Sequence, residues 1–174
     1  FFAILISVSM CGYIDVRWAG AQDNSRYYPA VDSSAAFRKA ISYSNECYLT
    51  PIRVIGEYYI ASSIGFAGSL VLHGEHIPSS RIMTGVANNP IVKKTPISRI
   101  KIADNVVAFN MIGIGPVDPL GQRVSSLDLS RIEVCGENSL SNAIFIDNHA
   151  FGGPGRPSLI EHVECYNLDT FFKS

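Results

Sequence analysis

From Ile52 onward, hydrophobic residues come in short runs broken by Gly, Pro, Asn and Ser. The runs are Ile52-Arg53-Val54, Tyr58-Tyr59-Ile60, Leu70-Val71-Leu72, Ile100-Lys101-Ile102, Ile112-Gly113-Ile114, Ile132-Glu133-Val134 and Ile144-Phe145-Ile146. Segments of this length bounded by turn residues predict short strands. Leu168-Asp169-Thr170-Phe171-Phe172 reads as a turn and the start of another strand. The pattern before Ile52 is different. Ile14-Asp15-Val16-Arg17-Trp18 alternates as a strand does, and Gly20 to Val31 is polar and turn-rich. Asp32-Ser33-Ser34 then precedes Ala35-Ala36-Phe37-Arg38-Lys39-Ala40-Ile41. Ala36, Phe37, Ala40 and Ile41 fall on one helical face, and Asp32 is placed to accept the free N–H groups of the first turn. A helix is therefore predicted near Asp32 to Ser42, about three turns long.

One helix followed by many short strands fits a sandwich, a barrel or a solenoid, and an internal repeat selects among them. Ile97-Ser98-Arg99-Ile100-Lys101-Ile102, Leu129-Ser130-Arg131-Ile132-Glu133-Val134 and Ile160-Glu161-His162-Val163-Glu164-Cys165 share one pattern, at spacings of 32 and 31 residues. Regular recurrence of one strand motif predicts that each circuit of chain lays an equivalent strand beside the last. Ile100, Ile132 and Val163 would then point inward, followed two residues later by Ile102, Val134 and Cys165. Two outward columns follow: Arg99, Arg131 and His162, and Lys101, Glu133 and Glu164.

Composition narrows the class. Charged residues make up 17% of the 174 and hydrophobic residues 47%, which excludes a disordered, collagenous or coiled-coil chain. A formal net charge of −1 with no long run of one sign argues against a nucleic-acid partner. The four cysteines (Cys11, Cys47, Cys135, Cys165) form no C-x-x-C pair, and most of them are read as buried thiols rather than a zinc site. Residues 1–13 read either as the remnant of a signal-peptide apolar region or as an edge strand, with a single domain over 14–174. That domain is expected to continue past Ser174.

The N-terminal order of elements resembles the pectate-lyase-like superfamily, which includes phage tailspikes and bacterial polysaccharide-degrading β-helices. The resemblance is carried by Ile14-Asp15-Val16-Arg17-Trp18-Ala19-Gly20-Ala21, Asp23-Asn24, the Asp32-led Ala35-Ala36-Phe37 helix, Val54-Ile55-Gly56-Glu57-Tyr58-Tyr59-Ile60, Leu70-Val71-Leu72-His73-Gly74 and Ser80-Arg81-Ile82. Asn24 stands where the family usually has Gly, and the loop from Ser25 to Val31 is longer than its counterpart. The resemblance implies an all-β fold: a right-handed parallel β-helix, or β-solenoid, with an N-terminal capping α-helix. Asp23 belongs to the capping loop in that pattern.

Candidate chemistry follows from the outward columns. Neighbouring strands lie about 4.8 Å apart, so Glu133 and Glu164 would be adjacent carboxylates able to divide acid and base roles. Arg131 and His162 beside them, with Arg99 and Lys101 on the preceding strand, would bind an anionic sugar or stabilise developing charge. The plain alternative is a solvated face with Lys101 paired to Glu133. Asp147 and His149 end a strand in Ile144-Phe145-Ile146-Asp147-Asn148-His149, a stretch similar to the Trp-Ile-Asp-His segment of pectate lyases. Asp147 is a candidate general acid or calcium ligand, and His149 a candidate substrate contact. No nucleotide-binding or zinc-protease motif occurs.

The function expected is action on acidic polysaccharide as a lyase or glycoside hydrolase, outside the cell, secreted or virion-associated. It needs no cofactor, and calcium enters only for a lyase. The alternative is a non-catalytic glycan-binding adhesin or tailspike segment, a homotrimer in the tailspike case.

Overall fold

A computed structural model describes residues 12–24, 30–47, 49–75, 98–113, 126–138, 140–148 and 158–173. Among the described residues the chain is mostly β with one α-helix. The strands are β1 (Ile14–Asp15), β2 (Ile52–Val54), β3 (Gly56–Ile60), β4 (Ile64–Ala67), β5 (Leu70–Gly74), β6 (Ser98–Ile102), β7 (Val107–Gly113), β8 (Leu127–Ser130), β9 (Glu133–Gly136), β10 (Ile144–Asn148), β11 (Leu159–Glu161), β12 (Glu164–Tyr166) and β13 (Thr170–Lys173). The helix α1 spans Ser34–Glu46.

Three parallel sheets result: sheet A in the order β1-β2-β5-β8-β11, sheet B β3-β6-β9-β12, and sheet C β4-β7-β10-β13. From β2 onward the chain visits A, B and C in turn, four times over, and from β5 onward each strand pairs with the one laid down a circuit earlier. In-register apolar columns follow. Ile14, Ile52, Leu72, Leu129 and Ile160 align in sheet A, and Tyr58, Ile100, Val134 and Cys165 in sheet B. An aromatic chain links the circuits: Phe37 of α1 meets Phe109 at 6.0 Å, Phe109 meets Phe145 at 5.4 Å, and Phe145 meets Phe171 at 5.3 Å.

Parallel sheets need their first edge covered, and α1 with its lead-in does this. Ala36, Phe37, Ala40 and Ile41 are buried, as the spacing predicts. Asp32 bridges in parallel to Tyr59 on the open edge of β3, and Ser33 N–H donates to the Tyr59 carbonyl at 2.8 Å. The N-cap position therefore belongs to Ser33, not Asp32. The Asp32 carboxylate still accepts from Ser34 N–H at 2.9 Å, and it also accepts from Ala61 N–H at 3.0 Å, tying the helix start to the first circuit. At the other end of α1, Asn45 donates to the Ser69 carbonyl and accepts from Ser69 N–H. Asn24 has a similar clamping role: its side chain accepts from Val31 N–H at 2.8 Å and donates to Val31 O at 2.9 Å, closing the base of the long loop. Asp23 sits over Gly56 (φ +117°) and accepts from Glu57 N–H at 3.0 Å, so the capping loop fastens directly to β3.

Three expectations need correction. The predicted strand Ile14 to Trp18 stops at Asp15, because the Asp15 carboxylate accepts Arg17 N–H and caps a 3-10 turn over Val16–Ala19. Ile132 lies outside the strands, at a corner. The third concerns the repeat. Segments 129–134 and 160–165 are true equivalents, with Glu133 opposite Glu164 and Leu129 opposite Ile160. Segment 97–102 is not equivalent to them. Residues 98–102 are one straight strand, whereas 129–134 ends sheet A, turns a corner and begins sheet B. Ile100 consequently stacks on Val134 rather than Ile132, and the register differs by two residues from the 32-residue spacing. Residues 1–11 of the candidate leader (1–13), Ser80-Arg81-Ile82 and Ile114 lie outside the described residues.

The corners use left-handed backbone. Arg131 (φ 54°) and His162 (φ 52°) turn sheet A into sheet B, and Asn105 (φ 59°) and Asn167 (φ 55°) turn sheet B into sheet C. A Cβ on Gly74 would lie 2.3 Å from the Arg131 carbonyl oxygen and 2.6 Å from Ser98 Cβ. Gly74→Ala should therefore cost about 1–3 kcal/mol through overpacking at a backbone contact. Thermal melting will check this: an unchanged Tm would mean that the corner is looser than these contacts require.

Acid should loosen the cap. Burial pushes the Asp15 carboxyl up, but the hydrogen bonds from Arg17 outweigh it, and the pKa lies below the ordinary value. Asp32 behaves the same way, with Ser34 and Ala61 overcoming the burial effect. Depressed carboxyl pKa values contribute stability above the unfolded value of about 3.9, lost as pH falls through the lower folded values. Melts between about pH 5 and 2 should show Tm falling less steeply in Asp15→Asn and Asp32→Asn than in the wild type. Parallel curves would contradict the assignment.

Candidate functional site

The outer face of sheet B carries the densest chemistry among the described residues. In strands that alternate, Glu57, Arg99, Glu133 and Glu164 occupy one outward column, each opposite the next in register. Tyr59, Lys101, Cys135 and Tyr166 form the neighbouring column. The predicted Glu133–Glu164 adjacency is present. Lys101 is not their neighbour, and Arg99 does not align with Arg131 and His162. Both displacements follow from the two-residue difference in register at β6.

Arg99 is the hub of the first column. Its guanidinium donates to Glu57 at 2.7 Å and, through Nε, to Glu133. Burial lowers the Arg99 pKa, the hydrogen bonds to Glu133 and Glu57 raise it by more, and the guanidinium stays charged throughout. Glu133 is only 7% exposed and also accepts from the Tyr166 hydroxyl. Burial and that hydrogen bond push the Tyr166 phenol well up, so Tyr166 remains a donor at neutral pH. Tyr59 is pushed up to about 12 by burial and by its hydrogen bond to Glu137 at 3.1 Å. Burial also raises the Cys135 thiol, which keeps it protonated and a poor nucleophile.

Arg131 and His162 are exposed and occupy equivalent corners, two residues before Glu133 and Glu164 respectively. Arg131 N–H donates to the Glu161 carbonyl at 3.1 Å, which binds the two corners together. The structure thus gathers Arg131, His162, Glu133 and Glu164 at one edge of sheet B, with Arg99 beside Glu133.

Asp147 lies elsewhere. It is buried on sheet C, between Asn110 and Lys173 in register, with Lys173 Nζ 3.5 Å from Oδ2. It belongs to a different face from the Glu133–Glu164 pair. His149 lies outside the described residues. Among the described residues, no group of three or more His, Cys, Asp or Glu side chains is arranged to hold a metal ion.

Two clusters escape a reading of the sequence, both on the outer face of sheet A. His73 Nε2 lies 3.4 Å from Asp128 Oδ1. Tyr13 stacks on Trp18 at 5.9 Å, with Arg53 against the Tyr13 ring. Strand pairing brings His73 to Asp128 and Arg53 to Tyr13 from distant parts of the chain.

No protein-family model, curated protein or solved structure matches this chain.

A left-handed conformation at a non-glycine residue costs about 1–2 kcal/mol, so Arg131 and His162 are not at their corners for backbone reasons. Arg131→Gly should leave Tm nearly unchanged, the relieved strain being offset by the wider freedom of glycine in the unfolded chain. Glu133→Gln weakens charge-assisted bonds from Arg99 and Tyr166 and should cost about 2 kcal/mol. Calorimetry on both variants will check this. A large loss in Arg131→Gly, or none in Glu133→Gln, would reverse the roles assigned here.

Proposed function

We propose that this chain forms a right-handed parallel β-helix of the pectate-lyase-like kind and acts on acidic polysaccharide at the outer face of sheet B. The observation that carries this is the in-register pairing of Glu133 with Glu164 beside the exposed corner residues Arg131 and His162. The four-fold A–B–C path of parallel strands, the Asp32-led capping helix and the Asp23–Gly56 contact support the fold assignment.

A polymer substrate presents the same groups repeatedly, and a strand ladder presents matching side chains at about 4.8 Å intervals. Carboxylates at adjacent ladder positions approach the separation of about 5.5 Å at which retaining glycoside hydrolases work. In a lyase, Glu164 would take the C5 proton α to the uronate carboxylate while Arg131 neutralises that carboxylate; the electron pair would form the C4–C5 double bond as the C4–O glycosidic bond breaks, and the leaving oxygen would take a proton from solvent. A substrate of this class goes with a protein acting outside the cell, secreted or virion-borne.

A second function, glycan binding without cleavage, is favoured by one observation: Glu133 is nearly enclosed and engaged by Arg99 and Tyr166, which suits a structural strut. A trimeric tailspike or an adhesin would use the face in that way.

Incubation with polygalacturonate and alginate, scored by reducing ends and by absorbance of unsaturated products, separates these functions. Cleavage is expected, with Glu164→Gln and Glu133→Gln each losing at least about tenfold, since one acid–base role is worth roughly a hundredfold or more. Retention of the polymer in affinity electrophoresis without new ends would establish the binding function instead. Wild-type rates in both variants would remove the carboxylate pair from the chemistry.

A further inference from the structure

We infer that the outer face of sheet A carries a separate binding subsite for neutral pyranose rings, with Trp18 as its stacking platform. Trp18 is 50% exposed, although it is the single tryptophan of the chain and follows closely on a fully buried residue, Val16. Its ring lies at 21° to that of Tyr13 in an offset stack, with centroids 5.9 Å apart, so Tyr13 backs the indole and helps to hold it in place. The 3-10 turn that carries Trp18 is held from both ends. Asp15 accepts from Arg17 N–H at 2.9 Å and from Arg17 Nε at 2.8 Å, and Gly20 closes the turn in the left-handed region at φ 105°. The platform is therefore preorganised, which lowers the entropic cost of binding.

Polar groups flank the platform in a row across the strands. Arg53, opposite Asp15 in register, lies 4.8 Å from the Tyr13 ring centre, donates to the Tyr13 hydroxyl at 2.9 Å and pairs with Glu75. His73 is opposite Arg53 on the next strand, with Asp128 3.4 Å from its Nε2. The steps between them are strand spacings, comparable to the length of one sugar ring. Each basic side chain in the row already has its carboxylate: Arg17 with Asp15, Arg53 with Glu75, and His73 beside Asp128. A row of donors and acceptors whose arginines are already paired, beside an open aromatic face, suits hydroxyl-rich, uncharged sugars, whose C–H faces stack on indole while their hydroxyls hydrogen-bond. A uronate carboxylate would have to compete with a resident carboxylate at each of these three positions. The inference shares with the proposed function only the class of ligand, a glycan, and concerns a different sheet.

Binding is read directly from the lone tryptophan, independently of any cleavage. Emission of the full chain should be titrated with oligosaccharides of β-1,4-glucose, β-1,4-mannose and β-1,4-galactose, and with oligogalacturonate as the acidic arm. The expected result is a saturable blue shift with at least one neutral oligomer. Affinity electrophoresis of Trp18→Ala should then show retention by that glycan weakened about tenfold, with a cooperative melt retained, as loss of roughly one stacked ring implies. Arg53→Gln should weaken retention while preserving the tryptophan signal at saturation. The proposal fails if no neutral oligomer shifts the emission at millimolar concentration, if only oligogalacturonate does, or if Trp18→Ala is retained as strongly as the wild type. None of these outcomes depends on Glu133 or Glu164, so failure here leaves the sheet B assignment standing, and the reverse also holds.

Discussion

A parallel strand cannot be completed by a hairpin. From β2 to β10, each strand waits for a partner that arrives only after the chain has passed through two other sheets, and that delay governs the rest of the structure. The β2–β5 pair closes after 20 residues, whereas β5–β8 spans 57, yet both keep their alignment, Leu72 lying opposite Ile52 and Leu129. Chain can be added between strands because loop closure costs grow only slowly with length. Within a strand an extra residue turns every later side chain to the other face, and where β7 carries one, at Ile112 between the Phe66–Met111 and Ala67–Gly113 pairs, it falls at the strand's end. The first edge must also be covered, and this explains why the polar groups of Asp32, Ser34 and Asn45 bond to the chain of the opening circuit rather than to α1 alone.

The same rule decides where chemistry can sit. Inward positions are committed to packing, so function falls to the outward columns and the corners. Corners are where Arg131 and His162 replace residues better suited to a left-handed backbone. Stacking then multiplies whatever the outward column holds. On sheet B that is a carboxylate, an arginine and two further carboxylates, with Arg99 bonded on both sides. On sheet A it is the Arg53–Glu75 pair and the His73–Asp128 contact, beside the Tyr13–Trp18 stack.

Much of this is legible in the sequence. The buried face of α1 follows from helical spacing, the short strands from apolar runs between turn residues, and the Glu133–Glu164 adjacency from the 31-residue spacing of the last two motif copies. What misleads is the first copy of the motif. Ile97 to Ile102 has the right residue types, but residues 98–102 form one strand, and nothing in a six-residue pattern distinguishes a straight strand from a corner turned by a non-glycine residue in the left-handed region. The Trp18 turn is hidden for a related reason: the alternation of Ile14 to Trp18 is that of a strand until the Asp15 carboxylate captures the Arg17 amide. The Arg99–Glu57 and His73–Asp128 contacts join residues 42 and 55 positions apart, and their pairing is fixed by register alone.

Register is therefore the point at which the account is most exposed. The ladder places Lys101 directly opposite Cys135, whereas the 32-residue spacing would place Ala103 there and Lys101 opposite Glu133. In-register parallel neighbours have Cα atoms about 4.8 Å apart, within the range a disulfide accepts. Mild oxidation followed by peptide mapping of Lys101→Cys and Ala103→Cys reads the alignment directly. A disulfide from position 101 to Cys135 in the first variant, and none from position 103 to Cys135 in the second, is the predicted result. Crosslinking of Ala103→Cys to Cys135, with Lys101→Cys unreactive, would contradict the stacking of sheet B and the site built on it.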